Sequence, residues 1–295
     1  MANKTNHVKR PDWLKIKLKT DGHFNDIRKL MSSQNLNTVC EEARCPNIYE
    51  CWSRKTATIM ILGDTCTRAC GFCSVKTGKP PFYDEMEPVR TANAVKEMGL
   101  NHVVITSVDR DDLKNDFGAT IWAESIKQIH RMAPNCTVEV LTPDFQGYMP
   151  SLKKVFEARP EIFSHNVECV ERISKKVRTQ SLWQRTKSVL DASIKFGLLT
   201  KTGLMVGLGE TDKEVLETMK EMADLGVEIF NVGQYLQPTK DHLSVDRFVH
   251  PDIFQMFKEE GLLMGFKVVE SGPLVRSSYH ADEQAKMYGV KSNHA

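Results

Sequence analysis

Six of the eight cysteines fall between Cys40 and Cys73, in two triplets, Cys40-x4-Cys45-x5-Cys51 and Cys66-x3-Cys70-x2-Cys73; Cys136 and Cys169 stand alone. Thiolates this close in sequence can hold a soft metal ion or an iron–sulfur cluster. In a small secreted chain such density would read as a disulfide framework, but 295 residues can build a core without staples, and no apolar leader precedes the cysteines. The basic start, Met1 to Arg10, has neither a secretory nor an organellar pattern, so a mature chain beginning near Met1 in the cytoplasm is expected. An iron–sulfur cubane ordinarily takes four thiolates, so a triplet leaves one iron without a protein ligand. Such an iron suits coordination of a substrate and delivery of an electron to it. Structural zinc is the alternative, although zinc ligands usually come as paired C-x2–4-C knuckles.

The elements that must position these thiols are legible in the pattern. Short β-rich runs at Thr58–Leu62, His102–Thr106, Thr137–Leu141, Ile162–Asn166, Lys201–Val206 and Glu228–Val232, with a last one at Lys267–Glu270, alternate with helical segments. Thr211 and Glu214 form a capping box before the stripe Val215, Met219, Met222, Leu225, which stops at Gly226. Trp122, Ile126, Ile129 and Met132 mark a second helix ended by Pro134, and Pro251 opens a third running to Gly265. This alternation predicts an α/β fold with parallel strands. Periodicity leaves open a doubly wound sheet or a barrel-like arc. The unusual residues settle just past strands: the second triplet, Thr106–Asp112, Leu141–Asp144, Asn166–Glu168, Gly207–Glu210 and Gly233–Pro238. A parallel barrel brings such loops to one mouth, which favours a partial (β/α)6 TIM-like barrel at 58–270. An N-terminal iron–sulfur extension at 1–57 and a closing tail at 271–295 flank it. The 40 Lys+Arg against 38 Asp+Glu give no basic footprint for nucleic acid, and no apolar run reaches membrane-spanning length.

Cys66-Thr-Arg-Ala-Cys70-Gly-Phe-Cys73, in a loop after the first barrel strand and with Phe72 before the last Cys, resembles the radical S-adenosylmethionine (SAM) enzymes. Gly203-Leu-Met-Val-Gly207-Leu-Gly-Glu210 is similar to that superfamily's G-x-I-x-G-x-x-E stretch, with Met205 in place of Ile, and Asn166-Val-Glu168 to its N-x-E. The resemblance implies a [4Fe–4S] cluster on Cys66, Cys70 and Cys73 whose open iron chelates SAM, and cleavage of SAM to methionine and a 5′-deoxyadenosyl radical. It also implies SAM contacts from Phe72, Thr106, Asn166, Glu168, Met205, Glu210 and Gln237. Taken alone, the glycines are a tight turn and Glu168 a loop carboxylate.

Cys40-x4-Cys45-x5-Cys51 narrows the family. With Ala57-Thr-Ile-Met-Ile-Leu-Gly-Asp-Thr-Cys66, Tyr235-Leu-Gln-Pro-Thr239 and Gly272-Pro-Leu-Val-Arg-Ser-Ser-Tyr-His-Ala281, it is similar to the lipoyl synthase family from about Arg10 to Lys286. Lys55 and Trp183 depart from that family's usual Gly and Tyr. The resemblance implies a second, auxiliary [4Fe–4S] cluster on Cys40, Cys45 and Cys51, with a serine of the tail as fourth ligand. By position that serine is Ser278, with Ser277 the alternative. A serine oxygen is a hard, weak ligand for iron, which suits a cluster whose sulfides are given up. The implied reaction inserts sulfur at C6 and C8 of an octanoyl group on a carrier domain, either a glycine-cleavage H protein or a dehydrogenase E2 lipoyl domain. It consumes two SAM and two electrons from a flavodoxin- or ferredoxin-type donor, and a cluster-repair protein must follow.

The reaction needs both clusters and the substrate carbon close together with water excluded, so the first triplet and the tail are expected to fold over the barrel mouth. Lys4–Lys19 could dock an acidic carrier. Arg110, Asp109 and Asp112 fit either positioning of substrate or SAM, or an ion-pair cluster. Arg276 is expected beside the auxiliary cluster, Cys136 and Cys169 as buried small side chains, and His165 as a packed strand-end residue. The competing readings are another radical SAM sulfur inserter, such as a biotin synthase or methylthiotransferase relative, and an electron carrier with two clusters.

Overall fold

The computed structural model describes residues 10–14, 22–34, 36–42, 45, 47–53 and 58–290. Of the basic start Lys4–Lys19 only 10–14 are among them, and Lys55 lies outside them. Seven parallel strands run β1 Thr58–Ile61, β2 His102–Ser107, β3 Thr137–Leu141, β4 Ile162–Ser164, β5 Leu199–Val206, β6 Ile229–Gln234 and β7 Val268–Gly272, and neighbours in sequence are neighbours in the sheet. The short strand Asn37–Thr38 pairs antiparallel with β1 and ends the sheet on that side, so the sheet is an arc rather than a closed ring. Helices α1 Glu87–Met98, α2 Ala119–Met132, α3 Met149–Glu157, α4 Trp183–Lys195, α5 Asp212–Leu225 and α6 Pro251–Met264 return the chain between strands. At α5 the capping box is formed in both directions, and Gly226 takes a left-handed φ of 102° to end the helix.

Alternate strand residues face opposite sides. Val103, Ile105, Val138, Val140 and Phe163 pack outward with Val95, Ile126 and Phe156, while Leu204, Val206, Phe230 and Val232 pack with Met219, Met222 and Phe257. His102, Val104, Thr106, Glu139, Lys201 and Asn231 are thereby left for the inner face. Lys201 Nζ lies 2.9 Å from Glu139 Oε1, and His102 Nε2 lies 3.7 Å from Oε2 of the same carboxylate. Burial alone would raise the Glu139 carboxyl; Lys201 and His102 together outweigh it and hold the group below its usual range. Removing one partner of such a pair strands the other charge. Lys201→Met should lower unfolding stability by about 3–5 kcal/mol, with Glu139→Leu in the same chain restoring most of it; a urea midpoint unchanged by the single substitution would refute the pairing.

The tail differs from expectation. Past β7 it turns back and descends inside the arc, where Asn231 Nδ2 donates to the carbonyl of Ser277 at 3.1 Å. A Cβ on Gly233 would sit 2.2 Å from the carbonyl oxygen of Val275, so the passage of the tail requires glycine there. The tail ends in a helix, Ala281–Tyr288, that the sequence pattern does not announce; its Ala285 packs on Ile162, Ile229 and Val268, the first residues of their strands. It therefore plugs the end of the barrel opposite the mouth. The expectation that the first triplet and tail cover the mouth is corrected in the same way: Cys40 packs against Thr58, the first residue of β1. Small inner-face residues such as Gly233 leave room for the tail within the arc, and room of this kind is not visible in a linear pattern.

Candidate functional site

The second triplet lies past the C-terminal end of β1. The two-residue strands Thr65–Cys66 and Lys76–Thr77 pair and pinch the loop at its base. The loop is pinned from two sides: Gly71 N donates to Val177 O and Leu243 N to Gly71 O, both at 2.9 Å, and His242 Nε2 is 2.9 Å from the Cys73 carbonyl oxygen. Cys66 Sγ accepts from the backbone N–H of Arg68 at 3.4 Å and of Asp109 at 3.3 Å. Burial raises all three thiols, Cys66 to about 11, Cys70 to about 12, and Cys73 in the same direction. Metal binding therefore has to displace protons here.

Arg68, which spacing arguments pass over, is the centre of this loop's support. Its buried guanidinium makes two hydrogen bonds to Asp111, at 2.7 and 2.8 Å, a third to Asp144 at 2.6 Å, and lies 3.2 Å from Asp109. One side chain thus braces the loops after β1, β2 and β3 together. Burial pushes Asp109 up to about 6 against the opposing pull of Arg68. Arg110 is also committed: it grips Asp112 with two hydrogen bonds and donates to the carbonyls of Leu62 and Phe82, the bracing alternative rather than a free hand for substrate.

The residues assigned to SAM all occupy C-terminal strand ends or the loops beyond. Glu168 adopts a left-handed φ of 66° and exchanges backbone bonds with β5, its N–H to Gly203 O and its carbonyl from Met205 N. Asn166 Nδ2 donates to its carboxylate at 3.1 Å, and that carboxylate lies near enough to Cys70 and Cys73 to add to the burial that raises both thiols. Arg178 donates to the carbonyls of Asn166 and Val167 and fixes this turn. Thr106 donates to Leu141 O, and Gln237 donates to the carbonyl of His242, the residue that holds Cys73. Phe72 packs with the α5–α6 core. Glu210 is spent on the turn itself: its oxygens accept from Gly207 N at 2.6 Å and Leu208 N at 2.9 Å. A Cβ on Gly207 would meet Gln234 Nε2 at 2.2 Å.

The first triplet forms a separate site at the other end of the four-residue β1, whose two ends lie about 10 Å apart at the usual strand rise. Cys40, Cys45 and Cys51 line a small, partly open pocket together with Asn47, Thr58, His102, Arg276, Ser278 and Tyr279. Segment and tail are clasped around it: Asn47 Nδ2 donates to Leu274 O at 2.6 Å, and Glu50 accepts from the Tyr279 hydroxyl at 3.2 Å. Arg276 is half-buried in the wall of this pocket, near enough to Cys45 to favour its thiolate, as expected for a cation beside an anionic group. The serines separate. Ser277 Oγ receives the Asn166 amide at 2.6 Å, toward the loop after β4, whereas Ser278 Oγ lies in the cysteine pocket, 2.7 Å from Thr58 Oγ1.

Three thiols and a serine oxygen around one pocket fit a cubane, whose ligands attach to separate irons. Among the described residues no three His, Cys, Asp or Glu side chains converge on a single ion, the arrangement a mononuclear zinc site would demand. Cys136 and Cys169 are buried single thiols and His165 is packed, its Nδ1 2.9 Å from Thr142 O, all as read from the sequence.

Comparison with known proteins places these observations. The profile of the radical SAM superfamily matches residues 60–222, and that of the N-terminal domain of lipoyl synthase matches residues 1–45. Lipoyl synthase of Halalkalibacterium halodurans is 52% identical over 99% of this chain and 97% of its own. That of Shouchella clausii is 53% identical over 97% and 94%. Among solved structures, methylornithine synthase (PylB) superposes with a TM-score of 0.55 at 13% identity over 86% of this chain and 82% of its own. SuiB of Streptococcus suis superposes with 0.57 at 9% identity over 77% and 55%. At those identities the structures attest the fold.

Proposed function

The chain belongs to the lipoyl synthase family of the radical SAM superfamily, and from that premise we propose how its own residues divide the work. The activity is that of a sulfurtransferase of the EC 2.8.1.8 type, with two [4Fe–4S] clusters and SAM as cofactors and an octanoylated lipoyl domain as substrate. When bound, the clusters supply reductive cleavage of SAM at one site and sulfur for the product at the other, chemistry no side chain offers.

Cys66, Cys70 and Cys73 hold the SAM-cleaving cluster, and Arg68 holds their loop. Glu168, turned toward these thiols by its left-handed backbone and by Arg178, together with Asn166, orients the SAM ribose. Phe72, Thr106, Met205 and Gln237 line the same end of the barrel, and Glu210 keeps the glycine turn open beside it. Cys40, Cys45, Cys51 and Ser278 hold the auxiliary cluster, with Arg276 offsetting its charge. The barrel interior between the two sites is where the octanoyl chain lies. The tail and the helix Ala281–Tyr288 close one end of that space against water, so the acyl chain enters by the mouth. The observation that carries this reading is the presence in one barrel of two three-cysteine sites at opposite ends of β1, that of Cys40, Cys45 and Cys51 with a serine oxygen in its pocket.

The carrier is a glycine-cleavage H protein or an E2 lipoyl domain. A flavodoxin- or ferredoxin-type protein supplies electrons, a cluster-repair protein restores the auxiliary site, and the setting is the cytoplasm. No described helix is long and apolar enough to cross a membrane. The test is incubation of reduced, reconstituted protein with SAM and an octanoylated lipoyl domain. Release of 5′-deoxyadenosine and a mass gain equal to two inserted sulfurs are expected. Absence of both would leave an electron carrier as the better reading.

A further inference from the structure

Ser277 and Ser278 are chemically identical, adjacent, and both within reach of a functional site, yet a cluster ligand must be one of them. The structure distinguishes them by their partners. The Asn166 amide holds the Ser277 hydroxyl at 2.6 Å, and Asn231 holds its carbonyl at 3.1 Å, both on the SAM side of the tail. Ser278, one residue on, points the other way and accepts from the Thr58 hydroxyl at 2.7 Å. Thr58 is buried at the start of β1, and both its backbone and its hydroxyl also lie against the Cys40 thiol. It bridges the strand, the first cysteine of the triplet and the serine of a tail that comes from 220 residues away.

Resting on the assignment of Ser278 to the auxiliary site, we propose that Thr58 is the positioning residue for this ligand: its hydroxyl donates to Ser278 Oγ and holds that oxygen in the cysteine pocket. A serine oxygen bound to iron is anionic in character, and a donated hydrogen bond stabilises it more than it would a neutral hydroxyl. A rigid β-branched side chain in a strand is well suited to hold such a donor in one orientation. Backbone contacts of Thr58 with Cys40 belong to any residue at this position, whereas its hydroxyl reaches both Cys40 and Ser278, so its effect through the serine is the part that disappears when Ser278 is already alanine.

The test uses reconstituted holoenzyme and does not depend on turnover. Thr58→Val should lose iron from the auxiliary site to a chelator about ten- to a hundredfold faster than the parent, while Thr58→Ser stays within about twofold, the change expected for one hydrogen bond to a charged group. The Mössbauer spectrum of Thr58→Val should shift toward that of Ser278→Ala. In a chain that already carries Ser278→Ala, adding Thr58→Val should change nothing further. If Val does not accumulate as folded protein, Thr58→Ala carries the same expectation. Parent-like iron release from Thr58→Val beside fast release from Ser278→Ala overturns the proposal alone. Parent-like release from Ser278→Ala overturns the ligand assignment and the proposal with it.

Discussion

A Cys70→Ala chain is expected to form no 5′-deoxyadenosine from SAM above background, a loss of the order of the whole rate enhancement, about 10⁶-fold or more for enzymes. Cys66→Ala and Cys73→Ala should behave alike. The three thiols come from one loop, which Val177, Leu243 and His242 help to hold in place. No free cysteine stands ready to replace a lost one, since Cys136 lies on the outer core beside Val138 and Cys169 is buried behind the Glu168 turn. Iron content should fall from about eight to about four per chain by the cubane count. Quantifying 5′-deoxyadenosine by mass spectrometry, with iron analysis beside it, decides the matter. Cleavage by any of the three variants at a parent-like rate would remove this loop from the reaction.

The second large effect is its mirror image. Alanine at Cys40, Cys45 or Cys51 should leave 5′-deoxyadenosine formation within a fewfold of the parent and abolish the mass gain of the lipoyl domain. The structural ground is separation. The pocket of the first triplet is lined by Thr58 and His102, both first residues of their strands, whereas the second triplet lies past the last residue of β1. Cys40 sits against Thr58 and Cys45 beside Arg276, whereas the loop of Cys66 is tied to Asp109, Val177 and His242. A variant at the first site should therefore not unfold the second. Equal loss of both readouts would mean that the two sites stand or fall as one structural unit.

What the sequence discloses and what it hides follow from range. The two triplets, the strand runs and the box at Thr211–Glu214 are local patterns, set by ligand spacing and by strand and helix periods, and they appear in the structure nearly as expected. The supports of the site are not local. Arg68 meets Asp111 across 43 residues, His242 meets Cys73 across 169, and Thr58 meets Ser278 across 220. Nothing in the run of types around Arg68 distinguishes it from the other arginines; only the fold brings Asp109, Asp111 and Asp144 to it. The end of the barrel to which the first triplet attaches was hidden for the same reason, because it depends on a two-residue pairing of Asn37–Thr38 with Ile59–Met60. Glu210 was legible as a functional loop residue, but its part in shaping the turn through Gly207 and Leu208 required coordinates.

On the proposed division of labour, the residues of the first triplet and Ser278 hold the source of the inserted sulfur. This is tested most directly by reconstituting the protein with ³⁴S-sulfide, removing unbound sulfide, and weighing the octanoylated lipoyl domain after one turnover with unlabelled SAM. Both sulfurs of the product should be heavy in the parent chain, and the Cys45→Ala chain should yield none. Product carrying light sulfur, or heavy product from the Cys45→Ala chain, would contradict it.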